Sequence, residues 1–393
     1  MEKNNKTLNV PNLRFPEFSG EWESVRLGDV CKFFSGGTPS STNKDFYDGD
    51  IPFIRSGEIH SSSTELYISE AGLNRSSAKI IEQGDLLLAL YGATSGDIAI
   101  SKIKGAINQA ILCIRTNHDN FFLKSCWEKH CRKLLQTYLQ GGQGNLSADI
   151  VKSIKISFPS CLEQKKISGL LALVEERIET QKKIIEKYES LIRGLTDDAF
   201  NRNCGSPMLS FSNIYKDAGE GGTPSTSNSE YYEDGTIPFI KIDDLVTKYL
   251  VTHKDCITEQ GMHKSSAWLI PSGSVIYSNG ATIGSISINT YPVCTKQGIL
   301  GIIPKDNVDV EYLYYFMTSV YFRKEIHRII TEGTMKTAYL KDINKILCPL
   351  PCLETQKSIA NKLATITKKI ELDKRALSLF QTQKKHLLSH LFI

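Results

Sequence analysis

Asp149, Glu163 and Lys165 stand in the order Asp…Glu-x-Lys that metal-dependent nucleases use. There two carboxylates hold Mg²⁺ and a lysine helps to place a water. Two observations weigh against that chemistry. Glu163 and Lys165 open a long heptad helix, where an acidic first turn is favoured by the helix dipole in any case. The repeated copy, Glu354-Thr-Gln-Lys357, also changes the spacing. His386 and His390 lie at i and i+4, the spacing of a metal pair, yet no third ligand is near them in sequence. The chain carries no Gly-x-x-x-x-Gly-Lys-Ser/Thr and no Asn/Asp-Pro-Pro-Tyr/Phe. Gly141-Gly-Gln-Gly144 lacks the strand-then-helix setting of a phosphate loop. No catalytic residue, no metal ligand and no cofactor is therefore expected in this chain.

A different chemistry is better supplied: reading a polyanion. Arg, Lys, Asn and Gln recognise purine edges, and small hydroxyls accompany phosphate contacts. Such residues recur in pairs half a chain apart. Thr38, Ser40 and Asn43 match Thr223, Ser225 and Asn228; Gln109 matches Gln297; Arg55 and Lys241 each follow an Ile-Pro-Phe-Ile run. Lys44 adds a cation to the first set. Two readers of different sequences should differ in their base-specific residues. The shared residues thus lean towards scaffold or phosphate contact. Unshared ones, Ser56, Tyr91, Ser95, Lys264, Ser278 and Asn279, are the candidate base readers. A plainer reading stands beside this: Gly-Gly-Thr-Pro is also a good turn, and a Gln can simply tie loops together.

The elements that position these residues are written twice. Residues 35–54, SGGTPSSTNKDFYDGDIPFI, return as 220–240, EGGTPSTSNSEYYEDGTIPFI. Gly92-Ala-Thr94 returns as Gly280-Ala-Thr282, and Leu162-Glu-Gln-Lys165 as Leu353-Glu-Thr-Gln-Lys357. The order holds while the offset drifts, as in two copies of one fold with loop insertions. Each copy opens with short apolar runs such as Ile98–Ile100, Ile111–Ile114 and Val275–Tyr277, which predict strands. Asp119–Leu139 and Val310–Ile330 have helical length and spacing. Each copy closes on a heptad seam with steps of 4 and 3. The first is Ile167, Leu171, Val174, Ile178, Gln181, Ile185, Tyr188, Ile192 and Leu195; the second is Ile359, Leu363, Ile366, Ile370, Leu377, Phe380 and Leu387, interrupted by Asp373 and Lys384. About 35 residues at 1.5 Å each give helices of about 50 Å.

One amphipathic helix cannot bury its stripe alone, so the two should pair, and the order domain–helix–domain–helix makes the pair antiparallel. The expected fold is α+β: two similar mixed α/β recognition domains separated by two long helices in an antiparallel, pseudo-two-fold coiled coil. The expected divisions are an N-terminal segment 1–22, a first recognition domain 23–158, a helical spacer 159–203, a second recognition domain 204–350 and a C-terminal spacer 351–393. Two diverged readers on an antiparallel spacer suit two half-sites of a duplex, whose turn is about 34 Å. A coiled-coil adaptor between two proteins is the competing reading; only a DNA reader should bind duplex with a steep salt dependence.

Composition agrees with a soluble, two- or three-domain protein: 393 residues, 40% hydrophobic, 23% charged, net charge +4. The polar start MEKNNKTLNVPN is no secretory signal, and Asp85-Leu-Leu-Leu-Ala-Leu-Tyr91 is too short to span a bilayer. A cytoplasmic location with no membrane partner is expected, with the ten cysteines reduced.

Taken together, Leu13-Arg-Phe-Pro-Glu-Phe-Ser-Gly-Glu-Trp22, Leu27-Gly-Asp29, the two Gly-Gly-Thr-Pro-Ser motifs, the two Gly-Ala-Thr motifs and the two Leu-Glu-(x)-Gln-Lys helix starts make the chain resemble the specificity (S) subunits of type I restriction–modification systems. The resemblance covers essentially the full length. It implies a non-catalytic subunit with two target-recognition domains reading double-stranded DNA, the first taking the 5′ half of a split site. It also implies two methyltransferase (M) subunits using S-adenosylmethionine to methylate adenine at N6, and restriction/translocase (R) subunits using ATP and Mg²⁺. The Leu13–Trp22 segment has no clear second copy; Phe211-Ser-Asn-Ile214 faintly echoes Leu27-Gly-Asp-Val30.

Overall fold

The structure, a computed structural model, describes residues 9–138, 146–200, 205–280, 282–330 and 337–393. Gly141–Gly144 and Ala281 of the second Gly-Ala-Thr lie outside them. The chain divides into two units, Met1–Lys182 with Ala376–Ile393, and Lys183–Arg375.

In the first unit, strands Cys31–Ser35, Ile111–Thr116, Leu86–Ala89 and Ile98–Ile100 form an antiparallel sheet in that order. A second sheet runs Leu66–Ile68, Ile51–Ile54, Gly105–Ile107, Lys79–Ile81, with the middle two strands parallel. Glu23–Arg26 pairs antiparallel with Lys155–Phe158, so the domain's entry and exit lie side by side. Leu86–Ala89 is buried on both faces. Leu86 and Leu88 pack towards Phe122 and Trp127, while Leu87 and Ala89 pack towards Ile54 and Ile107. Alternate residues of a strand face opposite ways, so a strand between two cores reads as one unbroken apolar run.

The second unit repeats the plan. Tyr215–Glu220, Ile299–Pro304, Val275–Ser278, Ile286–Asn289 and Tyr249–Leu250 form one sheet; Asp255–Ile257, Ile237–Ile240 and Cys294–Thr295 form another; Met208–Ser210 pairs with Leu347–Pro349. Tyr277 joins the core of Tyr312 and Phe316, and Ile276 that of Ile240. The faint echo at the domain starts is structural. Leu27 and Phe211 are both buried, and their N–H groups donate to the carbonyls of Ile154 (2.9 Å) and Ile346 (2.8 Å). The helix of the first copy spans Asn120–Tyr138. Its counterpart breaks into Val310–Thr318 and Val320–Ile329, because Ser319 leaves helical geometry and its hydroxyl caps the second piece by accepting from Phe322 N–H (3.1 Å).

The long helices are Cys161–Phe200 and Leu353–Leu391, and within each unit their segments run antiparallel. In the first unit Glu175 meets Lys384 (2.6 Å) and Arg177 lies over the Phe380 ring (5.1 Å). In the second, Glu189 meets Lys374 (2.7 Å), and Ile192 and Phe200 share a core with Leu363, Ala360 and Ile359. Seam residues Ile167, Leu171, Val174, Ile178, Ile185, Leu363 and Ile370 are buried; Ile192, Ile359, Ile366, Leu377 and Phe380 are half-buried. Leu195 departs from the expected seam and is exposed, while Thr196 and Phe200 are buried instead. Near its end this helix packs on the recognition domain, with the Phe200 ring 5.0 Å from Tyr312, so the stripe follows steps of 4 rather than 3.5. Asp373 interrupts the apolar pattern but stays buried, its carboxylate accepting from Lys369 (2.7 Å). Among the described residues no helix is long and apolar enough to cross a membrane.

Candidate nucleic-acid interface

Gly36 and Gly221 bring the backbone close to other parts of the chain. A Cβ on Gly36 would overlap the Ile107 carbonyl, and one on Gly221 the Thr295 carbonyl. A Cβ on Gly37 would lie 2.5 Å from the Ser77 Cβ. The glycines let the chain leaving one sheet pass directly against a strand of the other, a use open only to a residue without Cβ. The polar residues after them repeat the same turn. The Tyr47 and Tyr232 hydroxyls donate to the Pro39 and Pro224 carbonyls, both at 2.6 Å. Asn43 and Asn228 accept from the N–H of Asp45 and Glu230, both at 3.2 Å. Ser40 bonds Thr42 (2.7 Å) and Ser225 bonds Ser227 (2.8 Å). Thr38 donates to the Gln109 side chain (2.6 Å), and Thr223 accepts from Gln297 N–H (3.4 Å). These shared residues first of all build a turn of fixed shape; Thr38, Ser40, Gln109, Ser225 and Gln297 nevertheless remain exposed on it.

The cations after the Ile-Pro-Phe-Ile strands are already engaged. Arg55 grips Glu58 with two nitrogens (3.1 Å each) and reaches Glu65 (2.6 Å); Lys241 pairs with Asp255 (2.8 Å). Burial alone would raise the Glu58 carboxyl, but the Arg55 guanidinium and the N–H groups of Glu65 and Arg55 outweigh it and bring it down to about 2. Lys44 and Lys264 are exposed and Ser56 half-buried. Ser95 is half-buried and donates to the Leu90 carbonyl (3.0 Å). Tyr91 is 40% exposed. Ser278 and Asn279, expected among the base readers, are 0% and 1% exposed. Ser278 ends a core strand, and Asn279 donates to the Ala338 carbonyl (3.2 Å), so both are scaffold. Tyr91 and Asn279 occupy matching places after the same strand, so one position is surface in one copy and core in the other.

Other residues at this surface carried no motif. Leu66 and Tyr67 in the first copy, and Val246, Tyr249 and Val251 in the second, are exposed apolar side chains in the segments that follow the Ile-Pro-Phe-Ile strands. Lys248 anchors the second of these segments. It is buried over the rings of Tyr249, Tyr314 and Tyr315 (5.1, 5.4 and 4.4 Å) and bonds Glu311 and the Tyr315 hydroxyl. Burial would lower its pKa, yet Glu311 and Tyr315 hold it above the usual lysine value. In the first copy the Trp127 indole donates to the Gly96 carbonyl (2.8 Å), tying the Gly-Ala-Thr loop to the helix behind it.

The helix-start motif proves to be a joint. Gln164 accepts from Asp119 N–H (3.1 Å) and donates to the Pro159 carbonyl (2.9 Å); Gln356 accepts from Asp309 N–H (2.9 Å) and donates to the Pro351 carbonyl (2.8 Å). Both are buried, each locking a long helix to its recognition domain. With the glutamines superposed, Thr355 rather than Glu354 takes the place of Glu163. Glu163 is buried in a two-pronged pair with Arg14 (2.8 Å each), whereas Glu354 is exposed. Asp149 pairs separately with Lys152 (3.1 Å), so the nuclease-like trio is split between unrelated contacts. The His386 and His390 rings lie 4.1 Å apart, and among the described residues no group of three or more His, Cys, Asp or Glu could hold a metal.

The family model described as type I restriction modification DNA specificity domain matches the chain twice, over residues 19–190 and 213–379. The chain belongs to that family. Its relatives include the type I restriction enzyme MjaVIII specificity subunit of Methanocaldococcus jannaschii, 23% identical over 99% of this chain and 95% of the relative. The S subunit of a type I restriction–modification system from M. genitalium superposes with a TM-score of 0.64 at 14% identity, covering 98% of this chain and 99% of that one. A chain solved in work on complex assembly and conformational transition of the type I R-M system gives 0.56 at 19% identity, over 94% and 97%. As a type I specificity subunit, the chain's task is DNA sequence recognition, not catalysis. The two matched stretches each contain one Gly-Gly-Thr-Pro-Ser turn and end within a long helix.

Proposed function

We propose that the first recognition domain reads the 5′ half of a split, asymmetric DNA site and the second reads the 3′ half, with the paired long helices fixing the number of unread base pairs. One observation carries this reading: the same turn-and-sheet scaffold is built twice, while what it exposes diverges: Lys44 stands against Ser229, and Tyr91 is exposed where its counterpart Asn279 is buried. A repeated frame with unlike faces is what two unlike half-sites require.

The chain acts in the cytoplasm inside a complex with two methyltransferase subunits and with restriction/translocase subunits. S-adenosylmethionine belongs to the former, ATP and Mg²⁺ to the latter. The exposed leucines that helix pairing leaves over, Leu162 and Leu173 on the first long helix and Leu372 and Leu379 on the second, support docking of partner helices there. Native mass measurement should find two methyltransferases per chain at saturation; a single one would count against this stoichiometry. The function itself is tested by mapping N6-methyladenine in a genome expressing the chain with its methyltransferase. A two-part motif is expected. Replacing 23–158 by the same region of a relative should alter only the 5′ part, and a changed 3′ part would refute the assignment.

A further inference from the structure

In the first unit a groove of about 1120 Å³ opens where the recognition domain meets the long helices. Six lysines line it: Lys102, Lys124, Lys129, Lys182, Lys384 and Lys385. Three glutamates oppose them, Glu128, Glu175 and Glu179, leaving 6 − 3 = +3, most of the chain's net +4. Four of these residues neutralise one another in a closed ring: Lys124 meets Glu128 (2.9 Å) and Glu175 (2.6 Å), and Lys384 meets Glu128 (2.7 Å) and Glu175 (2.6 Å). Lys182 pairs with Glu179 (2.7 Å). Lys129 donates only to a neutral group, the Phe392 carbonyl (2.5 Å). Lys102 and Lys385 are exposed, and neither forms an ion pair among the described residues.

The second copy has the same corner but not the groove. Offsets of 190 and 192 put Tyr314, Thr318 and Thr367 where Lys124, Glu128 and Glu175 stand, and Ile192 where Lys384 stands. Tyr315 reaches across to Thr367 (3.1 Å), and only about 160 Å³ remains. A partner bound twice, once per copy, needs the same surface in both, so the wide cationic groove does not serve a duplicated partner. Lysines are compact charges that suit phosphate and lack the planar fork that reads a base. A duplex offers one negative charge about every 1.7 Å of its axis.

We propose that this groove seats the phosphodiester backbone of the bound duplex without reading its sequence, giving the first recognition domain a wider cationic seat than the second, whose smaller cavity carries only Arg193 and Arg323 against Asp197. This rests on the DNA-recognition reading above. The test uses the chain assembled with its methyltransferase and a duplex carrying the mapped site. In the Lys102→Gln/Lys385→Gln variant the slope of log affinity against log salt should flatten by about 0.9 per lost phosphate contact, so by about 1.8 in all. The methylated motif should be unchanged, and Lys102→Arg/Lys385→Arg should restore the slope. An unchanged slope and affinity in the glutamine variant would overturn the proposal, and so would loss of methyltransferase from the complex, which would make the groove a protein seat. A wild-type complex that binds no duplex at low salt would instead sink DNA recognition itself.

Discussion

At the scale of single residues, two positions make sharp demands. Gly36→Ala sets a methyl against the Ile107 carbonyl, and Gly221→Ala one against Thr295; each should cost about 3 kcal/mol in urea unfolding, at the upper end of overpacking. Gly57→Ala, with nothing within 4 Å of its Cβ, should stay within about 0.5 kcal/mol. The Arg55–Glu58 pair gives a pH signature. The Glu58 carboxyl sits at about 2 when folded, below its ordinary 4.5, so its stabilisation is present above 4.5 and fades as pH falls towards 2. Glu58→Gln should therefore narrow the stability gap between pH 7 and pH 3 relative to wild type, measured by thermal unfolding; an equal gap would refute the role. At this scale the sequence was half legible. Repetition marked Thr38, Asn43 and Gln109 as scaffold or phosphate contact; their hydrogen bonds hold a turn. It could not show that Asn279 is buried while its counterpart Tyr91 is exposed, because both follow equally apolar strands and burial depends on the loop that closes over them.

Between elements, joints decide the geometry. Gln164→Leu would strand the Asp119 N–H and the Pro159 carbonyl in a buried corner, costing about 1–3 kcal/mol, with the same expected of Gln356→Leu at the second joint. Hydrogen exchange should show the loosening first in the amides of Asn120–Tyr138 and Val310–Thr318 respectively. The two copies also brace this corner by different physics. In the first unit burial opposes the charge on Lys384, but Glu128 and Glu175 outweigh it and hold its pKa above the usual value. Lys384→Met should leave both carboxylates short of a cation and weaken protection of Asn120–Tyr138; Ile192→Met in the second unit should change little. Helix existence and pairing were plain from the 4-3 steps. Lys384 and Asp373 read there as mere interruptions, because a heptad count sees which face a residue occupies but not which charge waits opposite. The break at Ser319 was invisible for a similar reason: Val310–Ile330 keeps helical spacing across it.

For the molecule as a whole, the duplication was the most legible feature, since four collinear motif matches survive insertions that shift every loop. The DNA target was not, because it is written in exposed side chains that no core constrains. If the long helices set the half-site spacing, seven residues added after Lys182 and seven after Arg375 keep the seam in phase. They lengthen each helix by about 10.5 Å, so the mapped motif should gain about three unread base pairs at about 3.4 Å each. An unchanged gap would refute that role. The ribbons Glu23–Arg26/Lys155–Phe158 and Met208–Ser210/Leu347–Pro349 have a consequence for descent. Each recognition domain is inserted through two adjacent strands, like a plug on two pins. A genetic crossover at those strands would hand a lineage a new immune dialect in a single event, with the frame beneath inherited intact.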